Sequence, residues 1–180
     1  MLNINKAKLK LTGQGADPVH LGDCIRALQA ENLLPADNNS PINAKDCAVL
    51  LIGCTSLDPA NAAQHVLVYG GLQGELGLFG ISLQYILGAE PSRIAVTSVR
   101  ICQDFPLARI EYADSDLQEF TAVSFIGKGL RQEVVVSGGL IASLAMGLKH
   151  DTVAGWRGAE FQKQLEEVCN GQQKEHQEPV

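Results

Sequence analysis

Charged and aromatic residues are scarce in this chain. Asp, Glu, Lys and Arg make up 19% of its 180 residues, and Phe, Trp and Tyr 5%. With so few rings, any core must be filled by Leu, Ile, Val and Ala. Basic residues are the rarer sign, 14 against 20 acidic, for a net charge of -6, and the densest basic stretch is only Lys6, Lys8 and Lys10. A nucleic-acid partner needs a clustered basic face to displace counterions from phosphates, so none is expected. The longest uncharged apolar stretch, residues 134–148, falls short of the roughly 18–20 residues that span a bilayer, so no membrane is expected either.

Cysteine chemistry is thin as well. Cys24, Cys47, Cys54, Cys102 and Cys169 are odd in number and widely spaced, with no C-x-x-C and no Cys/His pair at zinc-finger spacing. Buried thiols in a reducing cytoplasm are the expectation, with no metal and no cofactor. The polar, basic N-terminus lacks the apolar segment of a secretory leader. Nucleotide loops of the G-x-G-x-x-G or G-K-[ST] kind are absent.

Hydrophobic residues account for 46% of the chain, enough for one sizeable core. Alternation of Lys with apolar residues predicts a strand over 7–12. Asp17-Pro18 is a helix start, because the carboxylate accepts from free N–H groups and Pro has its φ already set. Leu21, Ile25 and Leu28 follow at helical spacing. Residues 35–46 have loop composition. Apolar runs predict strands at 48–52 and 66–69, with a single helical turn after Asp58-Pro59. A helical stripe runs over 72–87. Strands are expected at 94–102, 107–112, 119–126 and 134–136, then a helix over 140–148. A charged helix is expected over 158–169, and the tail, 172–180, is polar.

Self-similarity organises this pattern. Residues 64–72, QHVLVYGGL, match 132–140, QEVVVSGGL, and 48–53, AVLLIG, match 122–127, AVSFIG. The expectation is an α+β fold: a mostly antiparallel sheet with helices packed on one face, built from a duplicated strand–strand–helix unit. All 180 residues form one domain: an N-terminal strand and helix (1–47), a first repeat (48–92), a second repeat (93–150), a C-terminal helix (151–171) and a flexible tail (172–180). Small residues recur on both repeat helices, and close packing or a homodimer contact would offset the cost of interior glycine, about 1 kcal/mol each.

Three constellations carry candidate chemistry. Gly70-Gly71 and Gly138-Gly139 end strands and lead into helices, where free N–H groups and the helix dipole attract anions; they are the expected ligand-binding residues for a small acidic ligand. His20 and Cys24, four residues apart, share a helix face and could pair base with nucleophile. His65 and Glu133 occupy equivalent repeat positions and could form an acid–base couple across a pseudo-twofold axis. The carboxylates Asp104, Glu111, Asp114, Asp116 and Glu119 read as solvated turn chemistry, and Trp156 as the cover of a core edge. With no triad or metal constellation in view, the expected function is non-catalytic: an accessory, regulatory or adaptor domain binding a protein partner, a second copy of itself, or a small acidic ligand. The alternative is a small enzyme acting on a phosphorylated or carboxylated metabolite at the Gly-Gly junctions.

Overall fold

A computed structural model describes residues 1–75, 77–90, 95–103, 105–114, 116–122 and 132–148. Six α-helices and six strands form its described part: α1 (Ile4–Thr12), α2 (Pro18–Ala30), α3 (Ala44–Gly53), α4 (Ala62–Gly70), β1 (Gln73–Gly74), β2 (Gly77–Leu78), α5 (Phe79–Gly88), β3 (Val96–Cys102), β4 (Leu107–Tyr112), β5 (Leu117–Thr121), β6 (Glu133–Ser137) and α6 (Gly138–Gly147). A short 3-10 helix, Pro59–Asn61, leads into α4.

Short polar side chains start these helices by accepting from backbone N–H groups that have no partner within the helix. Asn3 accepts from Lys6 N at 2.9 Å, Asp17 from Val19 N at 3.0 Å, and Ser137 from Leu140 N at 3.3 Å. At α3 the cap is reciprocal: Asn43 accepts from Asp46 N at 3.0 Å while Asp46 accepts from Asn43 N at 3.1 Å. The N-terminus is clasped from both sides. Leu2 N donates to the Gly147 carbonyl at the end of α6, and Ile42 N donates to Leu2 O at 3.0 Å.

All strand pairs are antiparallel and the strand order is β2-β1-β5-β4-β3-β6. Strands β3, β4 and β5 form a meander, and β6 adds outside β3. Hairpin β1–β2, which lies between two helices in sequence, reaches the far side of β5 through the pair Gln73↔Thr121. One sheet face is apolar: Val99, Ile101, Ala108, Ile110 and Phe120 are each at most 1% exposed. Helices pack on it. Phe79 of α5 meets Phe120 of β5 with ring centroids 5.3 Å apart, and Leu50, Leu83, Leu87, Ile141 and Leu144 complete the core, all at 0% exposure.

The α+β class, the antiparallel sheet and the helices on one face agree with expectation; the internal duplication does not. Residues 64–70 lie in helix α4, while their match at 133–137 is strand β6. Residues 48–53 lie in helix α3, and their match falls mostly outside the described residues. In α4 the buried positions are Ala62, Val66 and Tyr69, while Leu67 and Val68 face outward at 63% and 37% exposure. That spacing is helical, so the apolar run is a stripe and not a buried strand.

Residues 7–12 are likewise helical. Ile4, Ala7 and Leu11 are buried and Leu9 is 72% exposed, so the 3.6-residue period overrides the Lys alternation. The helix expected over 72–87 begins only at Phe79, because Gly77, at φ +122°, turns residues 73–78 into a hairpin. The expected C-terminal helix and tail, and Trp156, lie outside the described residues.

Candidate functional site

Gly70 and Gly71 close helix α4 rather than open one. Unpaired carbonyls and the negative end of the dipole gather there, the opposite of an anion cradle. The glycine that lets α4 and α5 meet is Gly80, where a β-carbon would come 3.1 Å from Gly70 Cα, whereas one on Gly70 would face open space. Gly138 and Gly139 do begin α6, capped by Ser137. Gly138 is a packing residue, since a β-carbon there would overlap the Val96 carbonyl oxygen, whereas Gly139 has open space. Two further small residues on α6 are covered within the chain, by α1 and by the segment that precedes it. Ser143 Oγ accepts from Lys10 Nζ at 2.6 Å, and Gly147 lies against Leu2.

His65 and Glu133 do not meet as a couple. His65 sits on α4, stacked on Tyr69 with ring centroids 4.0 Å apart, and its Nε2 is 3.0 Å from Thr55 Oγ1. Thr55 donates its own hydroxyl to Ile52 O at 2.7 Å, so Nε2 carries the proton and Thr55 accepts it. Burial drops the His65 pKa to about 4. Tyr69 holds the neighbouring loop, its hydroxyl aimed at the carbonyls of Cys102 and, at 3.0 Å, Phe105. Gln103 completes the corner by donating to Thr55 O at 2.9 Å.

Glu133 belongs to the other face of the sheet. There, strand register sets Glu119 beside Arg109, Arg109 beside Arg100, and Arg100 beside Val135. Two arginines side by side repel unless carboxylates intervene, and three do. Arg109 donates to Glu119 at 2.9 Å, Arg100 Nε lies 2.8 Å from Glu111, and Glu133 reaches Arg100 at 3.7 Å and Arg109 at 3.9 Å. The Arg100 Nε–H is not aligned on an acceptor, so its pairing with Glu111 is Coulombic. The Ser98 hydroxyl, and then Arg100, hold the Glu111 carboxyl below its ordinary range. Glu111 and Glu119 therefore stand in strands β4 and β5 and not in turns. This face was missed in the sequence. Its signal was alternation in VTSVRIC and LARIEY, where an Arg falls among apolar residues.

His20 and Cys24 do come together: Cys24 Sγ is 3.5 Å from His20 Nε2 on the first turns of α2. Cys54, whose backbone N–H caps the end of α3, is the strongest influence lowering the Cys24 pKa; burial, then Asp23 and Asp58, oppose it. The neighbouring Cys24 thiol and burial raise Cys54. Cys47, deep in α3, is pushed up to about 12 by burial. Among the described residues no group of three or more His, Cys, Asp or Glu is placed to hold a metal ion, and no helix is long and apolar enough to cross a membrane.

Fold and side chains together define a class: an α+β domain with helices on one face of an antiparallel sheet, a lattice of Arg and Glu on the other, and a thiol-bearing corner between α2 and α3. Comparison of the chain with protein-family models, curated proteins and solved structures found no match.

Proposed function

We propose that the chain is a non-catalytic accessory or adaptor domain that receives a protein partner on the charged face of its sheet. The observation that carries this reading is the row Glu119–Arg109–Arg100–Val135, flanked by Leu117, with Leu117 and Val135 54% and 52% exposed. Arginine beside exposed apolar side chains on a flat surface is the composition of protein interfaces. Two arginines against three glutamates favour a partner with both signs of charge over a polyanion. The ion pairs add little to stability at such exposure, so the fold does not require them. The enzyme alternative is weaker, because one of its two glycine junctions lies at a carbonyl end. A reducing cytoplasm fits the four described cysteines, all free thiols.

The test compares tagged wild-type chain with an Arg109→Glu/Val135→Asp variant in co-purification and in sedimentation. Loss of a stoichiometric partner, or of self-association, from a variant that keeps its circular dichroism supports the reading. Recovery of the same partner by both proteins overturns it. So does a rise of several degrees in Tm with phosphate or a dicarboxylate in wild type and variant alike.

A further inference from the structure

We propose that β6 is a self-docking edge: two copies of the chain pair their β6 strands antiparallel, about a twofold axis at Val134, and join their sheets into one. The strand order ends at β6, which has β3 on one side and no strand on the other among the described residues. The register tells which groups are left over. Gln103 N donates to Gln132 O at 2.8 Å, so these opposed residues form a hydrogen-bonded pair. Alternation along an antiparallel ladder then makes Val134 and Val136 the next residues bonded to β3. Glu133 and Val135 fall between, and their N–H and C=O groups point off the sheet. Donors and acceptors therefore alternate along the open edge.

Natural sheets guard such edges with Lys, Pro, a bulge or a very short strand. The opposite edge is guarded in this way, since β2 is only two residues long. β6 has five residues, EVVVS, and pairs with β3 in unbroken register. Its apolar surface runs off the edge on both faces. Val134 lies beside Ile101 on the core face, yet it is only half-buried where Ile101 is fully buried. Val135, on the opposite face, is exposed. Helix α6 leaves this edge open by starting back across β3, with Gly138 against the Val96 carbonyl.

The edge fits its own copy. With Val134 on the axis, Glu133 of each chain stands opposite Val135 of the other, and every outward group of these residues finds a partner, in about four hydrogen bonds. On the helix face Val134 meets its own copy and each covers the other. On the other face each Glu133 lies beside a valine, so no like charges are opposed, as a self-contact of a chain with net charge -6 requires. Moving the axis to Val135 would call on the Ser137 carbonyl, which as N-cap already accepts within α6. Moving it to Glu133 would oppose two carboxylates. An extended segment of another protein would have to bring apolar residues for both faces, which the copy already carries. A contact one short strand wide falls below the roughly 800 Å² per partner of a standard interface, so the dimer is weak and exchanging.

The strand edge is a different surface from the charged face, and the test separates them. Sedimentation equilibrium of the reduced full-length chain across the micromolar range should show monomer and dimer in exchange. Val135→Pro removes an outward N–H and no bond to β3. By symmetry it deletes half of the new hydrogen bonds, and it should weaken dimerisation at least about tenfold with circular dichroism unchanged. Val134→Lys sets two like charges face to face on the axis and should do the same. In a Cys54→Ser/Cys169→Ser background, Val134→Cys should cross-link two chains under mild oxidation and Val136→Cys should not. Arg109→Glu, which alters the charged face, should dimerise as the wild type does. A wild-type chain that stays monomeric throughout overturns the proposal. So does a folded Val134→Lys variant that dimerises as before, cross-linking at position 136 and not at 134, or a dimer abolished by Arg109→Glu alone.

Discussion

Gly138, the first residue of α6, lies directly against the carbonyl of Val96 on β3: a β-carbon at Gly138 would overlap that oxygen and come within 2.9 Å of the carbonyl carbon. Its neighbour Gly139 faces open space. Gly138→Ala must therefore move backbone and should lower unfolding free energy by at least about 3 kcal/mol. Gly139→Ala should be neutral or stabilise by up to about 1 kcal/mol. Urea titration of both variants checks the contrast; equal effects would mean the sheet–helix junction is not so tight.

The Tyr69 hydroxyl supports two carbonyls of the loop after β3. Tyr69→Phe keeps the ring stacked on His65 but leaves those acceptors without it. Loss of about 1–2 kcal/mol is expected, with amide exchange accelerated around Gln103 and Phe105. An unchanged exchange pattern would show that the loop is held otherwise.

His65 makes stability depend on pH. Its folded pKa is about 4, against 6.5 for the ordinary side chain. The unfolded chain therefore takes up the proton first, so the contribution is full above pH 6.5 and is lost as pH falls from 6.5 toward 4. Allowing for the partial exposure of the ring, the loss is about 1–2 kcal/mol. His65→Gln, which can still donate to Thr55, should flatten this part of the stability–pH curve. The same slope in both proteins would assign the dependence to other groups.

The Arg–Glu lattice is expected to matter little for folding. Arg109→Ala should cost under about 1 kcal/mol in thermal or urea unfolding. A loss of several kcal/mol would mean that the face is part of the core's support rather than a surface for a partner.

Local chemistry was legible where one residue decides it. Asp17-Pro18 opens α2, Gly138 opens α6, and β4 spans the expected 107–112. Apolar runs were not legible, because residues 48–52 have the same composition whether buried as helix or strand. The reciprocal cap of Asn43 and Asp46 carries the distinction, and it lay in a stretch assigned to loop. The likeness of 64–72 to 132–140 misled for a related reason. Val-rich runs ending in Gly-Gly fit both the close of α4 and the opening of α6. Of the site, the four-residue spacing of His20 and Cys24 implied their contact, but nothing local pairs Arg100 with Arg109; strand register alone sets them side by side.

Hairpin β1–β2 joins the sheet through a single residue pair with a strand nearly fifty positions downstream. Helices α1 to α5 therefore leave the ribosome before the strands that cover them exist. At 5–20 residues per second the gap from Gly88 to Ser137 is roughly 2–10 s. For that interval Phe79 and Leu83, fully buried in the finished fold, have no sheet to rest on, and any slowing of elongation lengthens the time they stand uncovered.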